Sequence, residues 1–313
     1  MLARTAANLF WLARYMERAD YLARLLDVAA LMNSVRVDGE RNSEWESAIV
    51  AAGAREEFFA RHEVADEAAV IHYLAFDPDN PSSIASCIEV ARRNARAVRT
   101  ALTAEMWDAV NVTWQELAGH RAATSGSDGF HDFNDWVKAR VSLFHGVSSN
   151  GMLRRDSFHF HRIGRCLERA DNIARLLDVK YHVRLPQASD VGGVVDYYQW
   201  LAILRVVGAR RAYRVLFKGQ VEPARVAELL ISRPEFPRSL AFSYREIVES
   251  LDAITAHDPA RTADCKRIAH ETYANLRFAN LDAVIAQGLH EYLTDVVERT
   301  DELGAGIAKG YLF

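Results

Sequence analysis

Arg14–Tyr15–Met16–Glu17–Arg18–Ala19–Asp20–Tyr21–Leu22–Ala23–Arg24–Leu25–Leu26–Asp27–Val28 returns, 151 residues later, as Arg165–Cys166–Leu167–Glu168–Arg169–Ala170–Asp171–Asn172–Ile173–Ala174–Arg175–Leu176–Leu177–Asp178–Val179. From Glu17 to Val28, ten of twelve positions are identical to Glu168–Val179. Internal repeats govern how the rest of a chain is read. Weaker matches follow in the same order. Trp45 and Gly53–Ala54–Arg55 correspond to Trp200 and Gly208–Ala209–Arg210, with Phe58 against Tyr213. Pro78, Pro81 and Ser83 correspond to Pro234, Pro237 and Ser239. His131–Asp132–Phe133 resembles His290–Glu291–Tyr292, and Arg140 matches Arg299. The offset drifts from 151 to 159, as loop insertions would make it. The expected organisation is a tandem duplication, residues 1–150 and 151–313, packed as one body about a pseudo-twofold axis. Ser148–Ser149–Asn150–Gly151 is too short to act as a linker between separate domains.

Ala, Leu, Arg and Glu abound and favour helix, while no alternating strand pattern survives inspection. The expected fold is an all-α bundle of about a dozen helices. Helices are expected from Thr5 past Leu31, Ser43 to Phe59, Asp66 to Phe76, Ser82 or Ser83 to Leu102, then on to Leu117. Further helices follow over 131–145, 154–181, 194–216, 222–231, 237–254, 259–281 and 284–309. Asn33–Asn42 and Thr124–Gly129 read as connections, and Asp77–Pro78–Asp79–Asn80–Pro81 as a break.

The composition is that of a soluble globular protein, half apolar and a quarter charged. A formal charge of −4 gives no reason to expect nucleic acid or an anionic membrane as partner. Cys87, Cys166 and Cys265 show no metal-ligand spacing, which fits a reducing compartment. The N-terminal residues lack a signal-peptide pattern and no apolar run is long enough to span a bilayer, so the cytoplasm is the expected location.

On a helical wheel the repeated stretch is apolar over most of its circumference, so its charges fall in or near the interior. Glu17 can sit between Arg14 and Arg24, and Asp20–Arg24 and Arg24–Asp27 have ion-pair spacings. Exposed, such pairs contribute roughly 0.3–0.5 kcal/mol. Buried, they need mutual pairing, because stranding one charge costs about 3–5 kcal/mol. Two readings follow. One is architectural: a solvated face, or a buried ladder that fixes helix register. The other is a polar cavity between the two related helices, lined by Glu17 and Glu168. Arg14, Arg18, Asp20 and Arg24, with Arg165, Arg169, Asp171 and Arg175, would then hold a substrate. Arginine forks suit carboxylates and phosphates, and Glu17 or Glu168 could hold an amine or act as a base.

Other motifs point less clearly to chemistry. Asp156, His159 and His161 lack the Glu-x-x-His pattern of di-iron bundles, and no metal is expected. Gly304–Gly310 lacks a Gly-Lys-Ser/Thr ending and reads as the end of the last helix. No serine or cysteine sits in a nucleophile motif, and no cofactor is indicated. Trp107, Trp114 and Trp136 read as core. Asn80, Ser82, Ser83 and Arg238 either line the same cavity or cap helices, with capping the preferred reading for Ser82 and Ser83.

Several segments together resemble the bacterial alpha-E domain family. They are Leu2–Ala3–Arg4–Thr5–Ala6, Phe10–Trp11–Leu12–Ala13–Arg14–Tyr15–Met16–Glu17–Arg18–Ala19, Asp79–Asn80–Pro81–Ser82–Ser83–Ile84, Ala91–Arg92–Arg93–Asn94–Ala95–Arg96, Glu105–Met106–Trp107, Phe236–Pro237–Arg238–Ser239 and Gly288–Leu289–His290–Glu291–Tyr292. The resemblance covers essentially the whole chain. It places the family's characteristic glutamate at Glu17, with Glu168 as its counterpart. Asp156–Ser157–Phe158–His159 departs from the pattern, so His159 and His161 gain no support from the family. The resemblance implies a circularly permuted ATP-grasp protein as partner, with a transglutaminase-like protein as another. It carries no assigned activity. Three functions therefore stand as expectations: an accessory, substrate-binding subunit of an ATP-grasp peptide or amide ligase, a catalyst using Glu17 or Glu168 as general base, or a structural scaffold.

Overall fold

The structure is a computed structural model describing residues 2–34, 43–123, 127–182, 194–254 and 259–313. Among these, fifteen α-helices and no strand occur. The first half contains α1 (Ala3–Ser34), α2 (Ser43–Ala51), α3 (Arg55–Phe59), α4 (Glu67–Ala75), α5 (Ile84–Ala97), α6 (Ala104–Ala123) and α7 (Ser127–Gly151). The second contains α8 (Asp156–His182), α9 (Val194–Val206), α10 (Arg210–Phe217), α11 (Pro223–Ile231), α12 (Leu240–Ala253), α13 (Pro259–Arg277), α14 (Leu281–Gln287) and α15 (Leu289–Tyr311).

Helices α1 and α8 form the centre. Leu9, Leu12, Met16, Leu25 and Leu26 of α1 are fully enclosed, as are Ile163, Leu167 and Leu177 of α8. Burying one such side chain stabilises by about 1.5–3 kcal/mol. Contacts advance together along both helices, from Phe10 against Gly164, through Arg14 with Glu168, to Glu17 with Arg169. The pair therefore runs parallel. At Gly164 an added Cβ would lie 2.2 Å from the Phe10 carbonyl oxygen, so only glycine lets the two backbones meet there.

Each central helix is wrapped by the same series of partners. Helix α1 packs on α5, α7 and α2, and crosses to α9. Helix α8 packs on α12, α15 and α9, and crosses to α2. Gly53 and Gly208 both have φ +68°, and each follows its helix (α2 or α9) at the same place. Ser83 and Ser239 both cap the next long helix, accepting from the backbone N–H of Ser86 and Phe242.

The sequence reading needs correction at several boundaries. The helices expected over 43–59 and 194–216 are each split by those glycines, because a left-handed residue cannot continue a helix. The last turn expected before Leu102 is a separate 3-10 turn, Arg99–Ala101. Helix α1 starts before Thr5, with Leu2 O accepting from Thr5 N–H and Ala6 N–H, so Thr5 is not its cap. Gly288, at φ +127°, separates α14 from α15. Asp66 does cap α4, and Gly304–Gly310 lies within α15. Of the two expected connections, residues 35–42 and 124–126 lie outside the described residues, while Ser127–Gly129 belong to α7. Trp114 is not core: it is half-exposed beneath the Arg92 guanidinium. No described helix is long and apolar enough to cross a membrane. All three cysteines are buried and free, and the described residues contain no metal-binding cluster.

Candidate functional site

The repeated charges meet across the α1–α8 seam. Arg18 grips Glu168, donating from Nε to Oε1 at 2.5 Å and from Nη2 to Oε2 at 3.2 Å. Arg169 grips Glu17 in the same way, from Nε at 2.6 Å and from Nη2 at 2.9 Å. Each Glu-Arg motif thus exchanges partners with the other. All four groups are largely enclosed, with Glu17 4% and Glu168 1% exposed. Burial alone would raise both carboxyl pKa values. The arginines outweigh it, and both are held below the ordinary glutamate range. Arg18 and Arg169 are pushed up in turn, as burial's opposing effect is outweighed by the facing glutamate.

This overturns part of the reading from spacing. Glu17 does not lie between Arg14 and Arg24. Its partners come from α8 and α7, and Arg14 donates instead to Glu168 at 2.7 Å. A wheel drawn for one helix cannot show this. Asp20–Arg24 and Asp171–Arg175 do pair within their helices, at 2.7 and 2.9 Å. Asp27 turns from Arg24 to Lys138 and Asn134 of α7, which leaves Arg24 free to donate to Val206 O at the C-terminal end of α9. One oxygen of each aspartate, Asp20 Oδ1 and Asp171 Oδ1, is buried without a hydrogen-bond partner.

Around this shared frame the two sides differ. On the Glu17 side, His145 of α7 places Nε2 2.9 Å from Glu17 Oε2, off the line of a well-aligned hydrogen bond. Burial lowers the His145 pKa despite the adjoining carboxylate. Arg165, the counterpart of Arg14, is displaced from the glutamate and its buried Nε has no hydrogen-bond partner. Arg238 reaches across Asp20, with Nη2 3.8 Å from Oδ2 and Nη1 3.4 Å from Val207 O. On the Glu168 side, the counterpart of His145 is Gly304 and that of Arg238 is Ser82. At Gly304 an added Cβ would meet Leu167 Cδ2 at 3.1 Å and lie in ordinary contact with Arg14 Nη1 at 3.7 Å. Ser82 accepts from Arg18 Nη1 at 3.2 Å.

A cavity of about 220 Å³ lies on the Glu168 side, with Ser82 in its wall. Its lining includes Arg14, Arg18, Glu168, Asp171, Arg175, Asn80, Ser82 and Asp301, with Ala52–Ala54 closing one wall. Four of the ten sequence candidates, Arg14, Arg18, Asp171 and Arg175, therefore join Glu168 at this cavity. Glu17, Asp20, Arg24, Arg165 and Arg169 do not line it. Asn80 and Ser82 take the cavity role that the sequence leaves open beside capping, whereas Asp301 lies outside the repeated stretch and carries no signal there. Ser82 is no helix cap, as expected of it; Ser83 alone caps α5. Asn80 is held by its own amide hydrogen bonds, donating to Tyr73 O and accepting from Ser82 N–H.

Comparison with known proteins agrees with this geometry. A family model described as a predicted alpha-helical domain with a conserved ER motif matches residues 1–312. Glu-Arg occurs in the sequence at Glu17–Arg18, Glu40–Arg41, Glu168–Arg169 and Glu298–Arg299, and the first and third of these form the exchanged pairs of the seam. Uncharacterised proteins of Mycobacterium bovis and Mycobacterium tuberculosis strain CDC 1551 are each 26% identical over 94% of the chain. One from Mycobacterium tuberculosis strain H37Rv is 25% identical over the same share. The chain spans 35% of the length of these relatives. No solved structure matches. With both exchanged Glu-Arg pairs built into its core and the family model spanning nearly every residue, the chain belongs to the Alpha-E family.

Proposed function

We propose that the chain is a binding module rather than a catalyst, and that it serves as the accessory, substrate-binding subunit of an ATP-grasp-dependent peptide or amide ligase. The cavity over Glu168 receives a carboxylate- or amine-bearing group. One observation carries this reading: the Arg238 guanidinium stands beside Asp20, whereas the matching position beside Asp171 carries Ser82 and opens into the cavity. Pure architecture gives no reason to leave a polar cavity beside a buried ion pair. The partner, a circularly permuted ATP-grasp protein, comes from the family resemblance, as does a transglutaminase-like protein. The same correspondences of helices, glycines and caps support a tandem duplication, residues 1–150 and 151–313, joined in one body.

The catalyst reading has less support. A general base works best with a pKa near the working pH, whereas Glu17 and Glu168 are held low and both oxygens of each are engaged. Co-purification with the ATP-grasp protein tests the accessory role. A stable complex is expected, with ligase activity that falls when Asn80 and Ser82 are replaced by bulkier residues. A ligase fully active without this chain refutes it.

A further inference from the structure

The side that carries Arg238 shows what the matching cavity is built to hold. Arg238 is the residue that fills the position matching the cavity. Its guanidinium lies against Asp20, at the end of α9, where Val207 O accepts from it. The open side keeps every acceptor of that arrangement and lacks the arginine. Asp171 takes the place of Asp20, and Ala52, after the C-terminal end of α2, takes that of Val207. Ser82 stands where Arg238 would begin. The C-terminal end of a helix favours a cation. The open side also gains a charge: Asp301 lines the cavity, where the matching residue of α7 is the neutral Ser142.

Resting on the binding-module reading, we infer that the Glu168 cavity takes a guanidinium or alkylammonium group from another molecule, held by Asp171 and the end of α2, with Arg238 as its built-in mimic. The ligand class is therefore a basic side chain or a primary amine. Arg18 and Arg14 stay locked on Glu168 and form the far wall. On the matching side Arg238 keeps its place beside Asp20 although burial and the charges of Arg24 and Arg169 push its pKa down.

The test uses the whole chain and three small probes: N-acetyl-arginine methylamide, its uncharged norleucine analogue, and N-acetylglycine for the carboxylate. Binding is followed by amide chemical shifts. Saturable binding of the arginine probe is expected, with at least tenfold weaker binding of the norleucine probe. Ser82→Arg should supply the guanidinium in cis, abolish that binding and raise Tm. Arg238→Ser should open a second site, so that two equivalents bind instead of one. Should Ser82→Arg fail to fold, the stoichiometry of Arg238→Ser decides alone. Arginine-probe binding that Ser82→Arg leaves unchanged overturns the inference. If only N-acetylglycine binds, and Ser82→Arg blocks it, the cavity remains a binding site but its cation preference is refuted. If neither charged probe binds, both readings fail.

Discussion

Arg169→Met tests the central claim about the seam, that the exchanged Glu-Arg pairs hold the halves together from inside. The substitution keeps the length of the side chain and removes its charge. Glu17 is then left 4% exposed with only His145 beside it. Stranding one member of a buried pair costs about 3–5 kcal/mol, a large share of the 5–15 kcal/mol that holds a typical domain. The pH dependence adds a second signature. In the wild type the Glu17 pKa is depressed, so its contribution is present above the unfolded value of 4.5 and lost as pH falls through the folded one. Without Arg169, burial, already the largest influence, is opposed chiefly by His145, and that pKa rises. Acid then neutralises the stranded carboxylate, and the variant's deficit against wild type should shrink from pH 8 towards pH 5. Urea denaturation at four pH values measures both effects. Glu17→Gln combined with Arg169→Met should recover part of the loss, because the stranded charge is gone. A deficit below about 1 kcal/mol, the range of exposed pairs, or one that ignores pH, would refute the reasoning.

Gly164→Ala should be severely destabilising, because its Cβ would lie 2.2 Å from backbone rather than from a movable side chain. A Tm within a degree of wild type contradicts the close approach of α1 and α8. Gly53→Ala and Gly208→Ala should each cost about 1–2 kcal/mol through their left-handed φ. Gly53→Ala should cost slightly more, since its Cβ would meet Arg175 Nη1 at 3.3 Å; equal losses would count against that contact. His161 is buried and His145 largely so, and desolvation holds both below the ordinary histidine pKa of 6.5. Below pH 6.5 the unfolded chain binds protons that the folded one refuses, so stability should fall with acidity. His145→Gln should flatten that slope; an unchanged slope shows that His145 does not contribute.

The repeat, the all-α class and most helix positions were legible because each depends on local pattern. Asp66 and Ser83 announced their caps through side-chain chemistry just ahead of an apolar run. The burial of the charged stretch was also legible, since α1 is apolar nearly all round. The identity of each partner was not. Glu17 could reach two arginines on its own helix, and only the parallel pairing of α1 with α8 sends it to Arg169 instead. The breaks at Gly53 and Gly208 depend on a positive φ that a single glycine does not declare. The difference between the two sides was in principle visible, as Ser82 against Arg238 and Gly304 against His145. It carries meaning only once those four residues are known to face the Glu-Arg pairs.

Exchange of partners also bears on why the two halves stay together. If each glutamate paired within its own half, either half could bury its own motif and fold alone. Here Glu17 has its arginine in residues 151–313, and Glu168 has both of its arginines in residues 1–150. A separated half would lose these partners, leaving Glu17, Arg14 and Arg18 unpaired in the first and Glu168 and Arg169 in the second. It would also expose the apolar seam of α1 or α8. Segments 1–150 and 151–313 expressed apart should therefore be unfolded or aggregated, and should gain helicity on mixing. A cooperative thermal transition in either segment alone would show that the seam is dispensable. The same dependence frees the surroundings to diverge. Once the two exchanged pairs fix the frame, Arg238 can stand beside Asp20 while Ser82 leaves a cavity beside Asp171, without disturbing the register of the central helices.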